Sequence, residues 1–243
     1  LDYIVNEMEF AIPGTFEYNY VKYWNGDNDT SLIPYLKRAY QLAPQRVETY
    51  DDFIDYYELT DSVEQKGIFC HKLKKSGIYP VHLFYYTFNV LQSVEKNGIL
   101  FTYGDWDTYP AWILQLADQY RKDITVINIG LLKKQYYFER IMESIGIEGA
   151  SYNLFIQDQA SFFRDIMQTN PDLSLYLGLT VEKKLITSMS DVLYTSGLAM
   201  KLSQTSFNNV KKVVRNWENM HTDYLFEDSL ALEPGSNLAR LHA

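Results

Sequence analysis

A single cysteine, Cys70, stands in 243 residues. One thiol excludes an internal disulfide and a cysteine metal cluster, and it fits the cytoplasm and the periplasm equally. No apolar run reaches the about twenty residues that a membrane span needs. Positive charge is scarce as well: 22 Lys and Arg face 31 Asp and Glu, a net of −9. Basic residues gather only at Lys72 to Lys75 and at Lys211 and Lys212. Phosphate-backbone binding lacks its electrostatic footprint, so nucleic acid is not expected as a partner. His71, His82, His221 and His242 show no metal-ligand spacing. There is no phosphate-binding glycine loop, and Ser196-Gly197 lacks the frame of a nucleophile elbow. No catalytic set emerges, and the sequence leans away from an enzyme.

What is present is core-forming. Hydrophobic residues make up 47 %, enough for a sizeable core and against disorder. Aromatics make up 16 %, led by 21 Tyr, which pack a ring while wetting a hydroxyl. The chain begins at Leu1 rather than Met, so it reads as a mature fragment from which any signal or lipid-anchor segment has gone.

The first part reads as helices. One is expected around Phe16 to Trp24, ending near Gly26, and Asp29 or Thr30 can cap the next. There Leu32, Leu36, Ala39, Tyr40 and Ala43 fall on one face, and Pro44 stops it. A third carries Val47, Tyr50, Phe53, Ile54 and Tyr57 on one stripe. Asp61 opens a fourth, with Glu64 placed as a capping-box partner and Gly77 closing it. Pro80 starts a fifth that runs to Asn97-Gly98. Starts near residues 30, 46, 62 and 80 pair the helices at a period of about 34 residues, that of tetratricopeptide units. A plain helical bundle reads these residues nearly as well. The expectation is a helical, repeat-like domain over residues 1–97.

From Gly98 the pattern changes to strand and helix alternation. Ile99-Leu-Phe-Thr-Tyr103 has the composition of a buried strand. Gly104 offers a tight turn, Asp107 or Thr108 a cap, and Pro110 a residue suited to a first helical turn. Trp112, Ile113, Leu116 and Tyr120 give that helix its apolar face, and Ile124 to Ile129 form a second strand. Strand, helix and strand in so short a span predict a right-handed unit with parallel strands. Helices follow at residues 133–145 and 158–168, a strand at Leu173 to Val181, a helix near 182–191 and a strand at about 193–202. Ser206 can cap a helix with Phe207, Val210, Val214 and Trp217 on one side, and residues 237–243 look like a helix start. The fold class is α/β, α+β overall, with a Rossmann-like domain over residues 98–243 and a mostly parallel sheet.

The run LFTYGDWDTYPAWILQLADQYRKDITVINIGLL, Leu100 to Leu132, also resembles a segment of a large bacterial membrane-protein family of formally unknown function, itself likened to protein O-mannosyltransferases. The likeness continues into LSLYLGLTV and LYTSGLAMKLS, for a coverage of roughly residues 97–204. The resemblance implies the soluble, extracytoplasmic α/β part of such proteins, membrane-tethered in the full-length form. The membrane helices where such a transferase would do its chemistry have no counterpart in this sequence.

Candidate chemistry centres on the loop after the first strand. Ligands of open α/β sheets gather outside the carboxyl ends of the strands. Asp105 and Asp107 sit two apart there and can hold a divalent cation, the cofactor considered; cap and turn roles account for them as well. The Gly26 to Thr30 segment repeats the same Gly-Asp-x-Asp-Thr pattern before another helix, which favours the local role. Trp106 can stack on a sugar, and Thr108 adds a hydroxyl. If the strands are parallel, Lys133 and Lys134 after the second and Glu182, Lys183 and Lys184 after the third reach the same edge. Solvated helix starts are the favoured explanation of these charges. The expected function is a non-enzymatic, extracytoplasmic interaction or ligand-binding module, an accessory to glycan or cell-envelope processing. It would bind a glycan or small molecule at Asp105, Trp106, Asp107, Thr108, Lys133 and Lys134, and a protein partner through the helical front. The alternatives are a metal-dependent glycosyl-donor enzyme using Asp105 and Asp107, and a pure scaffold.

Overall fold

The computed structural model describes residues 2–26, 29–147 and 149–222. Asp27, Asn28, His242 and the expected helix start at 237–243 lie outside them. The chain divides into two compact units, Leu1–Tyr79 and Pro80–Ala243.

The first unit is helical: α1 (Asp2–Ala11), α2 (Phe16–Trp24), α3 (Ile33–Leu42), α4 (Tyr50–Leu59) and α5 (Val63–Ser76). The Thr15 hydroxyl caps α2 by accepting from the Tyr18 amide at 3.3 Å. Asp29 Oδ1 accepts from the Ser31 amide and starts the turn that leads into α3. On the expected faces Leu36, Ala39, Phe53 and Ile54 are buried, and helices pack as sequence neighbours, α2 with α3 and α4 with α5. Many of the tyrosines serve this packing. Phe53 stacks on Phe69 with centroids 4.3 Å apart, and Tyr40 meets both edge-on. Cys70 lies at the bottom of the core, and burial pushes its thiol up to about 12. The capping box at Asp61 does not form. Asp61 takes φ +56°, a left-handed exit from α4 that a short polar side chain tolerates, and α5 begins after Ser62. An additional helix, α1, precedes those expected.

The second unit begins with α6 (Val81–Gln92), which packs along α7 (Asp105–Leu116). That packing places α6 with the sheet rather than with the helical front assigned from the sequence. The remaining elements are β1 (Ile99–Thr102), β2 (Thr125–Asn128), α8 (Gln135–Ser144), α9 (Tyr152–Gln157), α10 (Gln159–Thr169), β3 (Leu175–Gly178), α11 (Lys183–Ser188), β4 (Leu193–Thr195), β5 (Ala199–Leu202) and α12 (Val210–Glu218). The sheet order is β2-β1-β3-β5-β4. β1 runs parallel to β2, with Phe101 beside Ile127, and to β3, with Phe101 beside Leu177. β5 pairs antiparallel with both β3 and β4. The sheet is therefore mixed rather than mostly parallel. The difference arises at residues 193–202, read from sequence as one strand, which fold as the β4–β5 hairpin around Gly197 at φ +82°.

β1 and β3 are buried along their whole length. Tyr176 can point inward because its hydroxyl receives Lys212 Nζ at 2.8 Å and the Glu95 amide at 3.4 Å. α12 starts at Val210, not at Ser206, and its orientation inverts the usual rule for a surface helix. Asn216 faces inward and Lys212 binds Glu95 at 2.7 Å, while Val210, Val214 and Trp217 are exposed. Among the described residues no helix is long and apolar enough to cross a membrane.

Candidate functional site

The chain leaves β1, turns through α7 and lays β2 on one side; it then crosses back and lays β3 on the other. Strand order thus reverses between β1 and β3. Their carboxyl ends must diverge into connections on opposite sides, which opens a crevice at that point.

Gly104 makes the exit from β1. At φ +80° and ψ 175° it occupies backbone space that a side chain would strain, and it serves as the N-cap of α7. The helix therefore begins at Asp105, and Asp107 and Thr108 lie inside its first residues rather than capping it. Pro110 falls inside the helix, and Tyr120 lies beyond its end. Thr108 is fully buried. Its hydroxyl donates to Gly104 O at 2.8 Å and lies 2.8 Å from Thr102 Oγ1, which also reaches Ile127 O at 3.2 Å. Trp112 Nε1 donates to Val126 O at 3.2 Å, and Gln115 Nε2 donates to Ile124 O at 2.7 Å, tying α7 to β2. Trp112 is thus a core residue.

Positions two apart on a helix face nearly opposite ways. Asp105 and Trp106 are exposed, whereas Asp107 turns inward and is only 8 % exposed. Asp107 Oδ2 has no hydrogen-bond partner among the described residues. Burial pushes its carboxyl from 3.8 up to about 7, against a backbone interaction with Tyr103 that pulls it down. Asp105 touches solvent but is crowded beneath, and partial burial pushes its carboxyl up as well. One metal ion held by both carboxylates would require the first turn of α7 to rearrange. Among the described residues no group of three or more His, Cys, Asp or Glu side chains gathers into a metal site.

Asp107 Oδ2 faces Gly178, the last residue of β3. A Cβ at that glycine would lie 3.8 Å from Oδ2 and 3.6 Å from Phe101 O. Beyond the strand ends, the Tyr103 hydroxyl donates to Glu182 Oε1 at 3.0 Å, linking the β1 and β3 exits. These two residues line a cleft of about 210 Å³ together with Lys133, Asp158 and Lys184. Lys133, Glu182 and Lys184 are therefore brought to one edge. Lys134 instead precedes α8, where its carbonyl accepts from the Phe138 amide at 2.9 Å, and it does not line the cleft. Lys183 is exposed at the start of α11. Sequence reasoning missed Tyr103, Asp158 and Gly178. Only Gly178 left a signal, as a glycine inside an otherwise bulky strand, which marks a bulge or a close approach.

The opposite edge carries a larger cavity of about 400 Å³, lined in part by Glu95, Arg121, Lys212 and Asn216. There Arg121, Glu95 and Lys212 are satisfied within the fold. Arg121 donates to Leu91 O, Val94 O and Asp123, and Glu95 accepts from Lys201, Lys212 and Ser174. Partial burial of Glu95 pushes its carboxyl up, but these hydrogen bonds override that and hold it down at about 2. We read these pairs as structural.

A mixed α/β unit with central parallel strands and a polar crevice where their order reverses is the class that fold and site define. Residues 84–146 match the family model described as TMEM260-associated domain 2. The matched span runs from α6 to the end of α8 and holds Asp105, Asp107, Lys133 and Lys134, but stops before Gly178 and Glu182. No curated protein and no solved structure matches the chain.

Proposed function

We propose that this chain is a non-enzymatic, extracytoplasmic module that binds a polar ligand at the β1–β3 crevice and serves glycan or cell-envelope processing. The observation that carries the reading is the coincidence of three features at one edge: the reversal of strand order, the polar cleft at Tyr103, Lys133, Glu182 and Lys184, and the buried Asp107. The second unit is Rossmann-like in its β1–α7–β2 core. The match to the TMEM260-associated domain 2 model and the resemblance to the bacterial O-mannosyltransferase-like membrane family both support an envelope setting.

Thermal unfolding with a panel of free glycans and nucleotide sugars, with and without Mn²⁺ or Mg²⁺, tests it. A ligand at a hundred times its Kd stabilises the native state by about 2.7 kcal/mol, which raises the midpoint by roughly 5–10 °C in a chain of this size. The expected shift needs no metal and is lost in the Lys133→Ala, Glu182→Ala double variant. A shift that requires the metal and disappears in Asp105→Ala, Asp107→Ala would replace this reading with a metal-dependent glycosyl-donor site. A flat panel would end it.

We assign the tetratricopeptide-like front to a protein partner. The support is apolar exposure: Tyr3, Phe10 and Trp24 are 75 %, 94 % and 61 % exposed, with no covering element among the described residues. Replacing Phe10 and Trp24 by Ser is expected to abolish a partner complex isolated by cross-linking, with the unfolding midpoint unchanged. A complex that survives both changes would refute the assignment.

A further inference from the structure

We propose that the cavity of about 400 Å³ between the end of α6 and α12 is a second binding site, one that takes a small molecule carrying a phosphate group. It lies at the amino ends of β1 and β3, the other edge of the sheet from the β1–β3 crevice, and does not rest on the reading given for that crevice.

The space has the size of a small-ligand pocket. Its walls are cationic. Lys96, Arg121, Lys212 and Arg215 line it, and among the described residues Glu95 is the one carboxylate that does. Arg121 is neutralised by Asp123, which it grips through Nε and Nη2, both at 2.9 Å. Glu95 is shared. Its Oε2 accepts from Lys201 at 2.6 Å and from Ser174 at 2.9 Å, and its Oε1 accepts from Lys212 at 2.7 Å. One carboxylate thus serves two ammonium groups and leaves one positive charge over. Lys96 and Arg215 each add another. Both side chains are exposed, and among the described residues neither has a hydrogen bond or an ion pair. This surplus is local, because the whole chain carries a net charge of −9. Lys212 registers it. Burial lowers its ammonium, Glu95 pulls it back up, and the charges of Lys201 and Arg215 lower it again. A place in or just past the last turn of a helix suits Arg215 and Lys96 singly. It does not account for their gathering with Lys212 on one cavity.

The chemistry of the walls selects the ligand. A cation would add to the surplus, and a neutral molecule would leave it standing. A carboxylate brings a single charge. A phosphate monoester brings nearly two, with three acceptor oxygens. The Arg215 guanidinium matches two of those oxygens with its planar fork, and an ammonium group serves the third as a point charge. Phosphate alone fills only part of the volume. The remainder takes the body that carries it, beside the amide groups of Gln92 and Asn219.

Isothermal titration calorimetry and thermal midpoints on the full chain at low salt test the proposal, with glucose 6-phosphate, inorganic phosphate, glucuronate and glucose as probes. Both phosphates are expected to bind, glucuronate about tenfold or more weakly than glucose 6-phosphate, and glucose not at all. The affinity should fall as salt is added. The Lys96→Gln, Arg215→Gln double variant should weaken glucose 6-phosphate by about tenfold or more, the worth of a charge-assisted hydrogen bond. Its unliganded midpoint should not fall, since neither side chain has a partner to lose. The Lys133→Ala, Glu182→Ala variant should bind glucose 6-phosphate as the wild type does, which separates this site from the crevice. Glucose 6-phosphate held equally by the wild type and by the Lys96, Arg215 variant would overturn the proposal. So would glucuronate or glucose bound as tightly as glucose 6-phosphate. Loss of phosphate binding in the Lys133, Glu182 variant alone would place the anion in the crevice instead. No binding of either phosphate by both methods would overturn this site and leave the crevice reading untouched.

Discussion

Asp107→Asn is expected to stabilise the folded chain at pH 8, by roughly 2–4 kcal/mol, and to leave it nearly unchanged below pH 4. In the unfolded chain this carboxyl titrates near its ordinary 3.8, and in the fold burial pushes it up to about 7. Below 3.8 both states carry the neutral acid and the group costs nothing. Between 3.8 and about 7 the unfolded state ionises while the folded state holds its proton, so stability falls as pH rises. Above about 7 both are ionised, and the full penalty of a buried, unpartnered carboxylate is present. Each unit of displacement is worth about 1.4 kcal/mol, which sets the upper figure; the Asn amide still lacks partners, which lowers it. Urea unfolding of both forms at pH 4, 6 and 8 measures the difference. A variant less stable than wild type at pH 8 would mean that the ionised carboxylate has a favourable partner in the fold, contrary to its geometry. A residue that costs stability where it stands is what a binding site trades for function. The same substitution made at an ordinary helix-capping Asp would be nearly neutral or slightly destabilising, so a stabilisation of this size separates the two roles of Asp107.

That distinction could not be drawn from sequence, although much around it could. β1, α7 and β2 were legible because their signals are local: a branched and aromatic run, a glycine, acidic residues at a helix start, a second branched run. The convergence of Lys133, Glu182 and Lys184 followed from the parallel strands that this unit imposes. The start of α7 falls earlier than the sequence suggests because Gly104, in a conformation open to glycine, takes the cap position that Asp107 also suits. The rest depends on pairings distant in the chain. Asp107 meets Gly178 only because β3 lies beside β1. Leu173 to Val181 alternates in sequence, which marks a strand but places Tyr176 on the face away from the leucines. Tyr176 is nonetheless buried, since Lys212 and Glu95, far away in sequence, satisfy its hydroxyl. α12 shows the same limit. Its amphipathic pattern is strong, but it is the polar side that the fold uses, through Lys212 to Glu95 and Asn216 to Ser196.

The hairpin that makes the sheet mixed did leave a mark, and it supports the other large effect. Gly197→Ala is expected to cost about 3 kcal/mol, read as a fall in the urea midpoint at constant slope. Two penalties combine. At φ +82° an added side chain strains the backbone by about 1 kcal/mol. The new Cβ would also lie within 3 Å of Ser93 Oγ and Met220 Cε. Ser93 cannot yield freely, because its hydroxyl donates to Asn89 O and accepts from the Leu198 amide at 2.8 Å. Its carbonyl accepts from Ser196 Oγ at 2.8 Å as well. Moving it leaves buried polar groups unpaired, at about 1–3 kcal/mol. The neighbouring β4–β5 pairing makes the prediction specific: amide exchange should accelerate at Ala199 and Met200 before it does so in β1 and β2, because among the described residues the hairpin pairs with the rest of the sheet only through β5 and β3. Uniform acceleration across the sheet would mean instead that the hairpin and the β1–β3 crevice unfold as one unit, coupled through the pairing of Ala199 with Gly178.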